Sequence, residues 1–98
     1  MAKKRILLET AERCVKLLKE KYKVKRVILI GSLAYGIIHK KSDIDLVVEG
    51  LSYEIYMKCL TELYDILPPG VEINLIPFED AFESLKQKAL QKGKVLYG

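Results

Sequence analysis

The sequence predicts an α+β fold, helices packed on a small β-sheet, and three observations carry that prediction. Three segments repeat apolar residues at three- and four-residue steps, the spacing of one helix face. Three short apolar runs between and beside them end at Gly31, Gly50 and Pro77, as strands do. The chain has 98 residues, which suits one core and one domain spanning 1–98.

The first helix is expected from about Lys4 to Tyr22, where Leu7, Ala11, Cys14, Val15, Leu18 and Tyr22 form one apolar face. Lys16, Lys19, Glu20 and Lys23 lie off that face. Val24 to Ile30 reads as a strand, nearly all apolar at its end and therefore central. Ser32 to Gly36 fits a helical turn, and residues 37–42 a basic connection. Asp43 to Glu49 is the second strand; alternation puts Ile44, Leu46 and Val48 on one face and Asp43, Asp45 and Val47 on the other.

Ser52 is placed to cap a second helix running to about Leu67, with Glu54 in its first turn. Its buried stripe is Ile55, Cys59, Leu63 and Ile66, joined by Tyr56 and Leu60. Pro68-Pro69-Gly70 breaks the chain before a third strand, Val71 to Ile76. A third helix is expected from about Glu79 to Lys92, with Phe82, Leu85, Ala89 and Leu90 inward. Gly93 suits its C-terminal cap, and Val95-Leu96-Tyr97 forms a short apolar tail.

Composition narrows the class. Half the residues are hydrophobic and 31% charged, which is globular rather than disordered. Seventeen Lys and Arg against 13 acidic residues leave a net charge of +4. That suits a nucleotide or RNA, yet is as common on proteins that bind neither. Cys14 and Cys59 are far apart and lie on apolar helix faces, so they form neither a zinc motif nor a disulfide framework. Buried thiols of a cytoplasmic protein are expected. The longest unbroken apolar stretch is Val27 to Ile30, too short for a signal peptide or a membrane span.

Chemistry concentrates in two places. Gly31-Ser32 ends an apolar run and opens a turn, offering bare backbone N–H groups and a hydroxyl to an anion. Alone it is equally an ordinary strand-to-helix turn. It is neither a Walker loop nor a G-x-G-x-x-G fingerprint. Asp43 and Asp45, at i and i+2 on a strand, project from one face and can hold one Mg²⁺ or bridge two ions about 3.5–4 Å apart. Strands disfavour Asp, and neighbouring like charges repel, so stability does not explain the pair. The plain alternative is a turn at Ser42-Asp43 and a solvated Asp45.

Taken together, the Gly-Ser, the ten-residue gap and the D-x-D resemble the minimal nucleotidyltransferases, MntA-type antitoxins among them, of the DNA polymerase beta superfamily. The preceding Val-Ile-Leu-Ile, the Leu33-Ala34-Tyr35-Gly36 turn, Ser42 and the Gly93-Lys94-Val95-Leu96-Tyr97 ending are similar to that family as well. The resemblance spans nearly the whole chain. It implies a mixed β-sheet with helices on it and a nucleotide site at the sheet's edge. Gly31 and Ser32 would grip the β- and γ-phosphates of ATP, and Asp43 and Asp45 would hold two Mg²⁺ ions. It further implies transfer of AMP to a hydroxyl, in that family a tyrosine of a helical HEPN toxin, so that the transferase acts as antitoxin. No membrane or nucleic-acid partner is expected.

One position departs from the family. Its third carboxylate falls, aligned on apolar neighbours, at Asn74 in Ile73-Asn74-Leu75-Ile76. An amide offers a neutral oxygen to a metal but neither a charge nor a base. Glu72 shares the face of Asn74 and is the candidate replacement, or else a surface residue at the strand's start. Two functions therefore stand: an active transferase completed by Glu72, or a catalytically weak nucleotide-binding antitoxin that neutralises its partner by contact. Lys40, Lys41 and His39 are read as a solvated loop. Tyr35 is open to stacking on a base or to packing, and Tyr53, Tyr56 and Tyr64 are read as helix-packing residues.

Overall fold

The computed structural model describes residues 2–36 and 42–98. Three helices and four strands stand among them: α1 Ala2–Glu20, β1 Arg26–Ile30, β2 Ser42–Glu49, α2 Tyr56–Asp65, β3 Val71–Pro77, α3 Glu83–Lys92 and β4 Lys94–Tyr97. Single 3-10 turns occupy Ser32–Tyr35, Tyr53–Ile55 and Phe78–Asp80. The sheet order is β3-β2-β1-β4. β1 pairs antiparallel with both β2 and β4, while β2 and β3 are parallel. The expected mixed sheet is therefore present, and the α2 crossover is what makes the parallel pair possible.

Strand alternation sorts the core into two layers. Val27, Leu29, Ile44, Leu46, Val48, Ile73 and Leu75 pack against Leu7, Ala11, Cys14 and Leu18 of α1 and Cys59 and Leu63 of α2. On the opposite face Ile28 and Val47 pack with Ala89 of α3, joined by Ile30, Ile76 and Phe78. Fully buried Leu18, Ile44, Leu46 and Leu63 each stabilise the first layer by about 1.5–3 kcal/mol. The first layer is the larger.

Several expectations need correction. The apolar tail is a strand: Val95 pairs with Ile28 and Tyr97 with Val27, making β4 an edge of the sheet. Ser52 is extended and makes no side-chain cap bond, and α2 begins only at Tyr56 after the 3-10 turn. α3 begins at Glu83, so Phe82 sits in extended backbone and is 85% exposed. Leu90 is about half exposed instead of inward. Gly93 ends α3 with its N–H on the Ala89 carbonyl, but not in a left-handed conformation. Its lack of a side chain matters for packing instead, since a Cβ there would overlap Ile28.

Candidate functional site

The antiparallel register of β1 and β2 sets Ile30 opposite Asp45. The chain that leaves β1 at Gly31 therefore passes beside the Asp45 carboxylate. Gly31 has φ 78° and ψ −166°, a conformation open essentially to glycine alone. A Cβ on Gly31 would overlap Asp45 Oδ2. Amide backbone and carboxylate thus meet in one small volume. Ala34 N–H bonds the Gly31 carbonyl at 3.1 Å and Gly36 N–H bonds that of Leu33 at 3.1 Å, closing the turn. Leu33 is buried in the α1 layer and anchors it. The turn has no side-chain cap at its start, where Ser32 stands partly buried.

Asp43 and Asp45 are partly buried and share the face of Val47, as alternation requires. In the parallel register with β3, Asp43 lies opposite Glu72 and Asp45 opposite Asn74. Asn74 Nδ2 donates to Asp45 Oδ1 at 2.6 Å. The direction follows from chemistry, because the NH₂ group of an amide only donates. Glu72 is exposed at the sheet's end. Among the described residues, no three His, Cys, Asp or Glu side chains gather as a metal-binding group. The constellation is two carboxylates, one amide and a glycine backbone.

These residues fit a divalent cation and a phosphate side by side. Carboxylate oxygens are the hard donors that Mg²⁺ prefers, and it takes its remaining ligands from water and phosphate. Asp45 Oδ2 is turned to the backbone of Gly31 at the start of the turn. Tyr35, in the turn after Ser32, is 52% exposed. His39, Lys40 and Lys41 lie outside the described residues.

Other groups are structural. Tyr56 packs as expected and donates to the Leu75 carbonyl at 2.6 Å, and Tyr64 reaches the Ile73 carbonyl at 3.4 Å. Tyr53 does not pack; it is almost wholly exposed. Both cysteines are buried. Burial, reinforced by Cys59, pushes the Cys14 thiol up to about 12. Burial and then Glu62 push Cys59 up to about 11. Neither is a nucleophile at neutral pH. A cleft of about 460 Å³ lined by Arg13, Lys16, Leu17, Glu20, Lys21 and Ile66 shares no residue with the carboxylate site. Among the described residues no helix is long and apolar enough to cross a membrane.

Comparison with known proteins identifies the fold and the family. A sequence profile of the family described as polymerase beta, nucleotidyltransferase matches residues 12–98. A protein of Methanocaldococcus jannaschii, provisionally named a protein adenylyltransferase, is 35% identical over 92 residues, covering 85% of this chain and 90% of that protein. A chain of a mutant MntA–HpeT toxin–antitoxin superposes with a TM-score of 0.73 at 26% identity, over 88% of this chain and 71% of that one. A toxin–antitoxin crystallised with AMP-PNP gives 0.72 at 29% identity, over 89% and 73% of the respective chains.

Proposed function

The chain belongs to the polymerase beta nucleotidyltransferase family, and on that footing we propose that it transfers AMP from ATP to a hydroxyl of a toxin partner, acting as antitoxin. The acceptor is a tyrosine of a HEPN-type toxin. One observation carries the reading: the Gly31 backbone and the Asp45 carboxylate occupy the same small volume. Relatives named for adenylyl transfer and for toxin–antitoxin assembly support the reaction class and the partner class.

In this reading the N–H groups at Gly31 and Ser32 receive the β- and γ-phosphates. Asp43 and Asp45 hold Mg²⁺, which when bound supplies positive charge against the phosphate oxygens and the leaving pyrophosphate. The acceptor oxygen attacks the α-phosphorus, the bond to the pyrophosphate oxygen breaks, and the tyrosine proton leaves the phenol. Glu72, exposed on the same face, is the carboxylate free to take that proton, because Asn74 is no base. Catalysis on this reading comes from holding acceptor and phosphate in line and from charge that favours the transition state over the ground state.

A second reading is favoured by Asn74: a nucleotide-binding antitoxin with little turnover that neutralises its partner by contact alone. One experiment separates the two. The purified chain is incubated with ATP, Mg²⁺ and a HEPN-type toxin, and that protein is weighed by mass spectrometry. An AMP increment on a tyrosine, absent with Asp43→Ala and Asp45→Ala, supports transfer. No increment, from a folded chain that binds ATP and still neutralises, supports binding alone.

A further inference from the structure

We propose that Asn74 makes this a site for one divalent cation per bound triphosphate, instead of the two that the family resemblance implies. The inference rests on the nucleotide reading above. Two ions a few ångströms apart repel strongly, and a two-metal centre is held by anionic oxygens set between and around them. The residue opposite Asp45 on β3 is where a third anionic oxygen would stand, and Asn74 occupies that register position with a neutral amide.

The amide does more than withhold a charge. Its Nδ2 donates to Asp45 Oδ1 at 2.6 Å, so hydrogens rather than lone pairs face that oxygen. The other oxygen, Oδ2, is turned to the Gly31 backbone, the side that the nucleotide reading assigns to the phosphates and their cation. Asp45 is therefore oriented before any ion binds. An Asp at position 74 would set two carboxylates against each other at this separation, an arrangement that needs a cation or a shared proton between them. With Asn the need disappears: the N–H group stands in for the second ion. Glu72 does not restore the missing ligand: it is exposed, and no three-acid group forms among the described residues.

The probe is Mn²⁺ with AMP-PNP, counted by equilibrium dialysis against a chain-free compartment that corrects for chelation in solution. The unaltered chain should hold one Mn²⁺ at saturating nucleotide, and Asn74→Asp should hold two. Asn74→Ala should also hold one, more weakly, because it loses the donor without gaining a charge. Two ions on the unaltered chain or on Asn74→Ala would overturn the inference, as would a single ion on Asn74→Asp. Circular dichroism checks that the variants are folded; if Asn74→Asp is not, the counts on the other two chains decide. Failure of AMP-PNP to bind at all removes the nucleotide reading and this inference with it, whereas a two-ion count removes only this inference.

Discussion

The backbone of Gly31 lies so close to Oδ2 of Asp45 that even a methyl side chain at residue 31 would overlap the carboxylate. This closeness follows from two strands meeting in one register, Ile30 against Asp45, and from a conformation at Gly31 that other residues avoid. Gly31→Ala should therefore fail twice. Strain should cost about 1–3 kcal/mol of stability, read as a lower urea midpoint. Displacement of Asp45 should weaken AMP-PNP binding by about tenfold or more, a loss of at least about 1.4 kcal/mol by calorimetry. Unchanged nucleotide affinity would separate the turn from the carboxylates.

Asp43 and Asp45 are like charges on one strand face, so their contribution to stability is small or unfavourable. Asp43→Asn keeps the Asn74–Asp45 bond and the shape of the site. Transfer should fall by about 100-fold or more, the scale on which removing a charge-stabilising group acts. The melting temperature should stay the same or rise. Rate and melting curve together test the assignment, and a large loss of stability would mark Asp43 as structural.

The buried thiols set an alkaline limit. Burial raises Cys14 to about 12 and Cys59 to about 11, from an ordinary value of 9.0. Both are protonated, in the folded and the unfolded chain alike, below that ordinary value. Above it the unfolded chain releases protons that the folded chain retains, so stability falls as pH rises from about 9 toward 12. The urea midpoint should be flat up to about pH 9 and then decline. Cys14→Ala with Cys59→Ala should lessen the slope while lowering the plateau through the cavities it leaves. At neutral pH neither thiol should react with Ellman's reagent until the chain unfolds.

Tyr56 and Tyr64 place their hydroxyls on the outer carbonyls of β3, at Leu75 and Ile73. The Tyr56 bond is short and partly shielded from water. Tyr56→Phe should cost about 1 kcal/mol in urea denaturation, the usual net value of one hydrogen bond. Tyr64→Phe, with a 3.4 Å contact on a half-exposed ring, should cost less.

Much of this architecture is readable in the sequence, and the failures have physical causes. The Leu7–Leu18 stripe and the alternation of β2 are strong periodic signals, and the structure keeps both. Aligning Ile73-Asn74-Leu75-Ile76 on its apolar neighbours puts Asn74 in the acidic slot, and the register places it opposite Asp45. β4 is hidden because four residues with Lys94 and Val95 exposed carry no clear period. Phe82 misleads because it continues the helical spacing although the helix starts one residue later. The meeting of Gly31 with Asp45 depends on how β1 and β2 pair, and no local pattern states it.

The two-sided character of β2 has a consequence for how the chain avoids mispairing. A one-residue slip of this strand would press Asp43 and Asp45 into the oily layer beneath α1 and α2, and move Ile44 out to the partly exposed face the two acids now hold. Every such error is penalised on both sides at once, by stranded charge and by wetted hydrocarbon. The acidic residues that equip the surface for chemistry thus also proofread the hydrogen-bond ladder, and exchanging them for aliphatic residues should yield a chain that settles into more than one alignment.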